Sequence, residues 1–127
     1  MSEATVNVRY MVEDVEAAIA WYTGHLGFSL LSNQAPAFAD VKPVSLRLLL
    51  SWLSSSAGRP MPDGEQPRPG GWNRIHLVVD DLPAEVARLR GAGATFRNEI
   101  VTGPGGSQIL LVDPSGNLVE LFQPARH

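Results

Sequence analysis

Val6-Asn7-Val8-Arg9-Tyr10-Met11-Val12 runs into Glu13-Asp14-Val15, and Asn73-Arg74-Ile75-His76-Leu77-Val78-Val79 runs into Asp80-Asp81-Leu82. Each stretch alternates at the two-residue period of a strand, then meets an Asp suited to cap a helix. Val8 matches Ile75, Val12 matches Val79 and Asp14 matches Asp81, a constant offset of 67 residues. Self-similarity at a fixed offset marks one supersecondary unit used twice. Helical spacing follows both strands. Val15, Ala18, Ile19, Tyr22 and Leu26 form one apolar stripe behind Asp14; Leu82, Val86 and Leu89 form the other behind Asp81. Pro83 falls in the first turn of the second helix, where proline is tolerated. Gly24 or Gly27 is expected to end the first helix, and Gly91 and Gly93 the second.

Three strand candidates follow each helix: about 28–33, 37–41 and 44–53, then about 95–101, 106–112 and 117–123. Asp113-Pro114-Ser115-Gly116 is a turn signal between the last two. Ser54 to Gly71 holds four prolines and four glycines in 18 residues, so no regular element is expected to run through it. The expected organisation is a first βαβββ module over 1–53, a Pro/Gly-rich loop over 54–71 and a second βαβββ module over 72–127. One such module leaves an apolar sheet face that it cannot cover alone. The fold class is therefore α+β, with the two modules paired.

Composition removes several function classes. Among the 127 residues, 44% are hydrophobic and 18% charged, the balance of a globular chain with a real core. Ten Lys+Arg against 13 Asp+Glu give a net charge of -3, which argues against a nucleic-acid partner. No apolar run nears the roughly 20 residues of a membrane-spanning helix, so no membrane partner is expected. Met1 to Asn7 lacks a basic region followed by an apolar core, so no secretory signal is expected. With no cysteine there are no disulfides, thiolate metal sites or cysteine nucleophiles. The expected compartment is the cytoplasm.

The order and spacing of further pieces carry a resemblance. They are Val12-Glu13-Asp14-Val15, Trp21-Tyr22 and Leu26-Gly27-Phe28, then Val79-Asp80-Asp81-Leu82, Ala87-Arg88-Leu89 and Asp113-Pro114-Ser115-Gly116-Asn117-Leu118-Val119-Glu120-Leu121. Over nearly its whole length the chain resembles the vicinal oxygen chelate superfamily, which includes glyoxalases, dioxygenases, fosfomycin-modifying enzymes and bleomycin-resistance proteins. The resemblance implies two paired βαβββ modules whose curved mixed sheets surround a cavity. It also implies a homodimer. Metal enzymes of the family take ligands from the first and last strands of the modules. Those positions fall on Asn7, Arg74 and Glu120, and near Leu49. Only Glu120 keeps a strong donor. Leu49 has none, Asn7 offers a weak amide oxygen, and the fixed charge of Arg74 repels a cation. No cofactor is expected, and a divalent metal is disfavoured; if one binds, Glu120 and His76 would hold it.

Strand alternation sorts the remaining candidates. Asn7, Arg9 and Met11 share one face, as do Arg74, His76 and Val78, while the apolar alternates should pack under the helices. Leu118, Glu120 and Phe122 share a face of the last strand, Arg47, Leu49 and Ser51 are the analogous set, and Gln108 and Leu110 join them. Trp52 and Trp72 flank the long loop, either as ligand-stacking walls or as anchors for it. The leading expectation is a small-molecule-binding protein with a degenerate metal site and an anionic ligand. Asn7, Arg9, Arg47, Arg74, His76, Trp52, Trp72 and Gln108 would contact that ligand, with arginines meeting a carboxylate, phosphate or enolate. Two alternatives stay open. One is a lyase, isomerase or dioxygenase with a displaced metal or metal-free chemistry, in which Glu120 or His76 is the general base. The other is an antibiotic-sequestering resistance protein.

Overall fold

A computed structural model describes residues 6–42 and 46–126. It contains two compact units, one ending at Gly70 and the other starting at Gly71, so the Pro/Gly-rich segment belongs almost entirely to the first.

The first unit holds β1 (Asn7–Met11), α1 (Val15–Leu26), β2 (Ser29–Gln34), β3 (Phe38–Lys42) and β4 (Arg47–Ser51). Its mixed sheet has the order β1-β4-β3-β2, with β1 parallel to β4 and the other neighbours antiparallel. The strand expected over 44–53 is confined to 47–51; Val44 and Ser45 lie outside the described residues. The Asp14 side chain accepts from Ala17 N at 3.1 Å and starts α1. Gly27, at φ 68°, ends it, whereas Gly24 lies inside the helix. The left-handed turn lets Phe28 N reach back to Tyr22 O at 3.1 Å. Tyr10, Val12, Ala39, Val41, Leu48 and Leu50 are buried on the sheet side that α1 covers, with Val15, Ala18, Ile19 and Tyr22 on the helix. Each large side chain buried this way contributes about 1.5–3 kcal/mol. Trp21 and Tyr22 belong to this core, their rings edge to face at 4.8 Å.

The segment after β4 contains one regular turn that its composition did not suggest, a 3₁₀ turn at Ser56–Gly58. Gly58 makes it possible. A Cβ there would lie 2.3 Å from Leu53 Cα and 2.5 Å from Trp52 O, so only glycine lets the loop fold back on the end of β4.

The second unit holds β5 (Arg74–Val78), α2 (Leu82–Gly91), β6 (Thr95–Phe96), β7 (Val101–Gly103), β8 (Gly106–Val112) and β9 (Leu118–Pro124). The sheet order is β5-β9-β8-β6, β5 runs parallel to β9, and β7 also pairs with β8. The single strand expected over 95–101 is thus two. Arg97 N donates to Leu110 O at 2.9 Å, and then Asn98 Oδ1 accepts from Leu110 N at 2.9 Å. A side chain has replaced the backbone partner, so the chain leaves the ladder and rejoins it at Val101. Asp81 caps α2 through Ala84 N at 3.1 Å, and Gln123 Oε1 accepts from Leu82 N at 2.7 Å. Ile75, Ile109, Leu111, Val119 and Leu121 are buried on one side of this sheet, and α2 buries Leu82, Val86 and Leu89. Among the described residues no helix is long and apolar enough to cross a membrane.

Candidate functional site

Each sheet has a second face, and the register places the candidate residues there. In the first unit Asn7 lies beside Arg47, Arg9 beside Leu49 and Met11 beside Ser51. Asp40 continues the Arg9–Leu49 row and Phe38 the Met11–Ser51 row. Asp40 is buried and accepts a hydrogen bond from Ser32 Oγ; Arg47 Nε lies 3.3 Å from its other oxygen. Burying a carboxylate requires such partners. Arg47 is therefore engaged by an acidic residue that the alternation analysis did not single out. Asp40 sits in a β3 of mixed pattern, Phe-Ala-Asp-Val-Lys, and only the register reveals the neighbour it needs. Arg9, by contrast, has no ion-pair partner among the described residues.

In the second unit the rows are Arg74–Leu118, His76–Glu120–Leu110 and Val78–Phe122–Gln108. Glu120 is buried. Arg74 Nε and Nη2 both reach its Oε1, at 3.1 and 3.0 Å. The second oxygen faces His76 Nε2 at 3.5 Å. The His76 ring is tilted against Phe122, with centroids 4.9 Å apart. Arg74 Nη1 also donates to Trp72 O at 3.2 Å, which ties the pair to the start of the unit. Glu120, Arg74, His76 and Gln108 thus share one face of this unit's sheet.

The tryptophans divide. Trp52 is half-buried at the end of β4, its backbone N donating to Ala37 O and its O accepting from Ser55 N, both at 3.0 Å. It anchors the start of the loop. Trp72 is exposed, and the Arg97 guanidinium stacks 4.3 Å from its ring centroid.

A pocket of about 300 Å³ opens on the first unit, lined by Arg9, Gln34, Phe38, Ser51, Ser55 and Ser56, among others. Ser51 Oγ is buried there with no hydrogen-bond partner among the described residues. The alternation analysis put Ser51 on this face. It did not join Gln34, Ser55 and Ser56 to it, because they arrive from β2 and the loop.

The donor set does not suit the divalent metal that the resemblance implies. At the family's ligand positions, Leu49 offers no donor and the Arg74 guanidinium holds the one carboxylate oxygen of Glu120 that faces it. Among the described residues no three His, Asp or Glu side chains gather. Catalytic sites of the zinc type normally use three protein ligands.

Comparison with known proteins meets this geometry. The curated relative "Putative glyoxylase CFP32" of Mycobacterium bovis and Mycobacterium tuberculosis is 30% identical over 116 residues, 90% of this chain. The chain spans only 43% of that relative's length. The crystal structure of TnmS3, an antibiotic binding protein from Streptomyces sp. CB03234, is 28% identical with a TM-score of 0.74, and 98% of each chain is covered. A superfamily member from Sphaerobacter thermophilus is 26% identical with a TM-score of 0.77, covering 96% of this chain and 98% of its own. The family model matches residues 5–121, most of the chain. The chain belongs to the glyoxalase/bleomycin resistance protein/dioxygenase superfamily.

Proposed function

We propose that the chain is a binding protein that holds a small anionic molecule without a resident metal and releases it unchanged. One observation carries this reading. Each buried carboxylate on the candidate faces, Asp40 and Glu120, is already neutralised by an arginine, while Arg9 pairs with no carboxylate among the described residues. Such a face favours an anion and disfavours both a divalent cation and a cationic drug. The likeness to an antibiotic-binding protein supports sequestration as the biological form of that binding. The proposal includes a homodimer in the cytoplasm; a sedimentation mass of one chain would remove the dimer from it.

The test is equilibrium dialysis of the chelator-stripped chain against size-matched anionic, neutral and cationic compounds, followed by mass spectrometry. Retention of anionic compounds at unchanged mass is expected. Recovery of chemically altered compounds would overturn it. In parallel, stripped protein offered Fe(II), Mn(II), Ni(II) and Zn(II) is expected to keep far less than one equivalent of any. One equivalent, lost in Glu120→Ala, would restore a metal site.

A second reading rests on His76 Nε2 facing Glu120 Oε2 at 3.5 Å. A carboxylate that orients an imidazole is the arrangement of a general base, suited to removing a proton beside a carbonyl. Glu120→Gln separates the two readings. A folded variant that binds but no longer alters the compound would establish this chemistry.

A further inference from the structure

We propose that the pocket on the first unit is a carboxylate site, and that its ligand is a monocarboxylic acid with a small apolar body. The inference deepens the binding reading above and rests on it. Three observations converge on the pocket. The first is Ser51 Oγ, fully buried and without a partner among the described residues. A buried hydroxyl left unsatisfied is costly, so such a group calls for an explanation, and a ligand oxygen supplies one.

The second is Arg9. The arginines on the equivalent rows of both sheets, Arg47 and Arg74, each hold a carboxylate of the protein. Arg9 holds none among the described residues, and no acidic side chain lines the pocket it enters. A planar guanidinium matches a planar carboxylate through two parallel hydrogen bonds. With one fixed positive charge in the lining, a monoanion is matched and a phosphate dianion is not.

The third is the form of the pocket. Phe38 and Ala37 give it an apolar wall, while Gln34, Ser55 and Ser56 add polar groups at the edge. A volume of about 300 Å³ lies at the small end of ligand sites. The loop side is held before any ligand arrives. Ser55 Oγ donates to Trp52 O at 2.6 Å, the Gln66 carboxamide donates to Gly58 O, and Gly58 packs directly on Leu53. A preorganised wall lowers the ordering cost of binding.

The probe is sodium benzoate, with benzamide as its neutral isostere, titrated into the full chain and followed by amide chemical shifts. Benzoate is expected to move the amides of Arg9, Phe38, Ser51 and Ser55–Ala57 to saturation, and benzamide to bind at least about tenfold more weakly. Arg9→Gln should weaken benzoate by about tenfold or more, and Arg9→Lys by less, since it keeps charge but loses the fork. Ser51→Ala should weaken it about threefold or more without loss of folding stability, because the hydroxyl has no partner to lose among the described residues.

Equal binding of benzoate and benzamide would overturn the proposal, as would no shift up to about 20 mM, a concentration that saturates even a low-millimolar site. Shifts centred on Arg74 and His76 would overturn this assignment while leaving the binding reading intact. Chemical alteration of retained compounds in the dialysis would sink the binding reading, whatever benzoate does here. If Arg9→Gln fails to fold, the benzoate–benzamide difference and Ser51→Ala still decide.

Discussion

The same row of the two sheets carries the same side-chain types on different strands. Across β1, β4 and β3 the first unit reads Arg9, Leu49, Asp40; across β5, β9 and β8 the second reads His76, Glu120, Leu110. Carboxylate and leucine have changed places. In the neighbouring row only the arginine changes strand, Asn7 beside Arg47 against Arg74 beside Leu118. On this face each unit therefore keeps one buried carboxylate, Asp40 or Glu120, and one arginine to neutralise it, but builds the pair from different strands. The backbone repeat sets where side chains can meet. It does not set which strand supplies the acid. In the first unit the exchange leaves Arg9 over; in the second it leaves His76 beside the pair.

The largest expected effect tests whether the two pairs are equivalent. Arg74→Met leaves the Glu120 carboxylate, with 9% of its side chain exposed, facing only His76. It should lower stability by about 2–4 kcal/mol in urea unfolding. Arg47→Met should cost less, about 1–2 kcal/mol, because Arg47 is 45% exposed and Ser32 still donates to Asp40. A larger loss from Arg47 would break the comparison. The double variant Arg74→Met/Glu120→Leu sharpens it. An apolar pair in that place should recover most of the loss, as a buried pair adds little net stability over well-packed apolar groups.

Next comes the loop that follows β4. Gly58→Ala should cost about 1–3 kcal/mol, since its Cβ would collide with backbone at Leu53 and Trp52 that cannot swing aside. Gly24→Ala, on an open helix surface, should stabilise by about 0.5–1 kcal/mol. Should Gly58→Ala prove neutral, the loop is not held against β4, and the pocket beside Arg9 loses its wall.

These contrasts show why some features were legible in the sequence. The two strand–helix starts follow from alternation and a capping Asp, both local signals, and Asp14 and Asp81 make the hydrogen bonds their positions imply. The face that carries Arg9 in the first unit, and the face that carries Arg74, His76 and Glu120 in the second, each follow the two-residue period. The rest depends on partners distant in the chain. Nothing local in Phe38–Lys42 announces that Asp40 will need Arg47. Nothing local in 54–57 places Ser55 and Ser56 beside Ser51. The strand expected over 95–101 broke because Asn98 accepts from Leu110, twelve residues away.

That break offers a smaller test. β2 is continuous, whereas its counterpart in the second unit is β6 and β7 joined through Asn98. Asn98→Ala strands the Leu110 amide and should cost about 1 kcal/mol, with faster hydrogen exchange at that amide. Exchange unchanged at Leu110 would mean that the backbone closes the ladder itself.

The smallest contrast concerns the helix starts. Asp14→Ala and Asp81→Ala should each cost about 1 kcal/mol, since each removes the same N-cap bond, at 3.1 Å in both helices. α2 has a further acceptor in Gln123 Oε1, which reaches Leu82 N from β9. Gln123→Ala should cost about 1 kcal/mol more and speed exchange at the Leu82 amide. If Asp81→Ala then proves milder than Asp14→Ala, strand β9 rather than the local sequence sets where α2 begins. The strand that carries Glu120 on one face would then hold the helix from its other face. Any change that shifts Glu120 along β9 would also be felt at the start of α2, a coupling that the first unit, capped by Asp14, does not share through this contact.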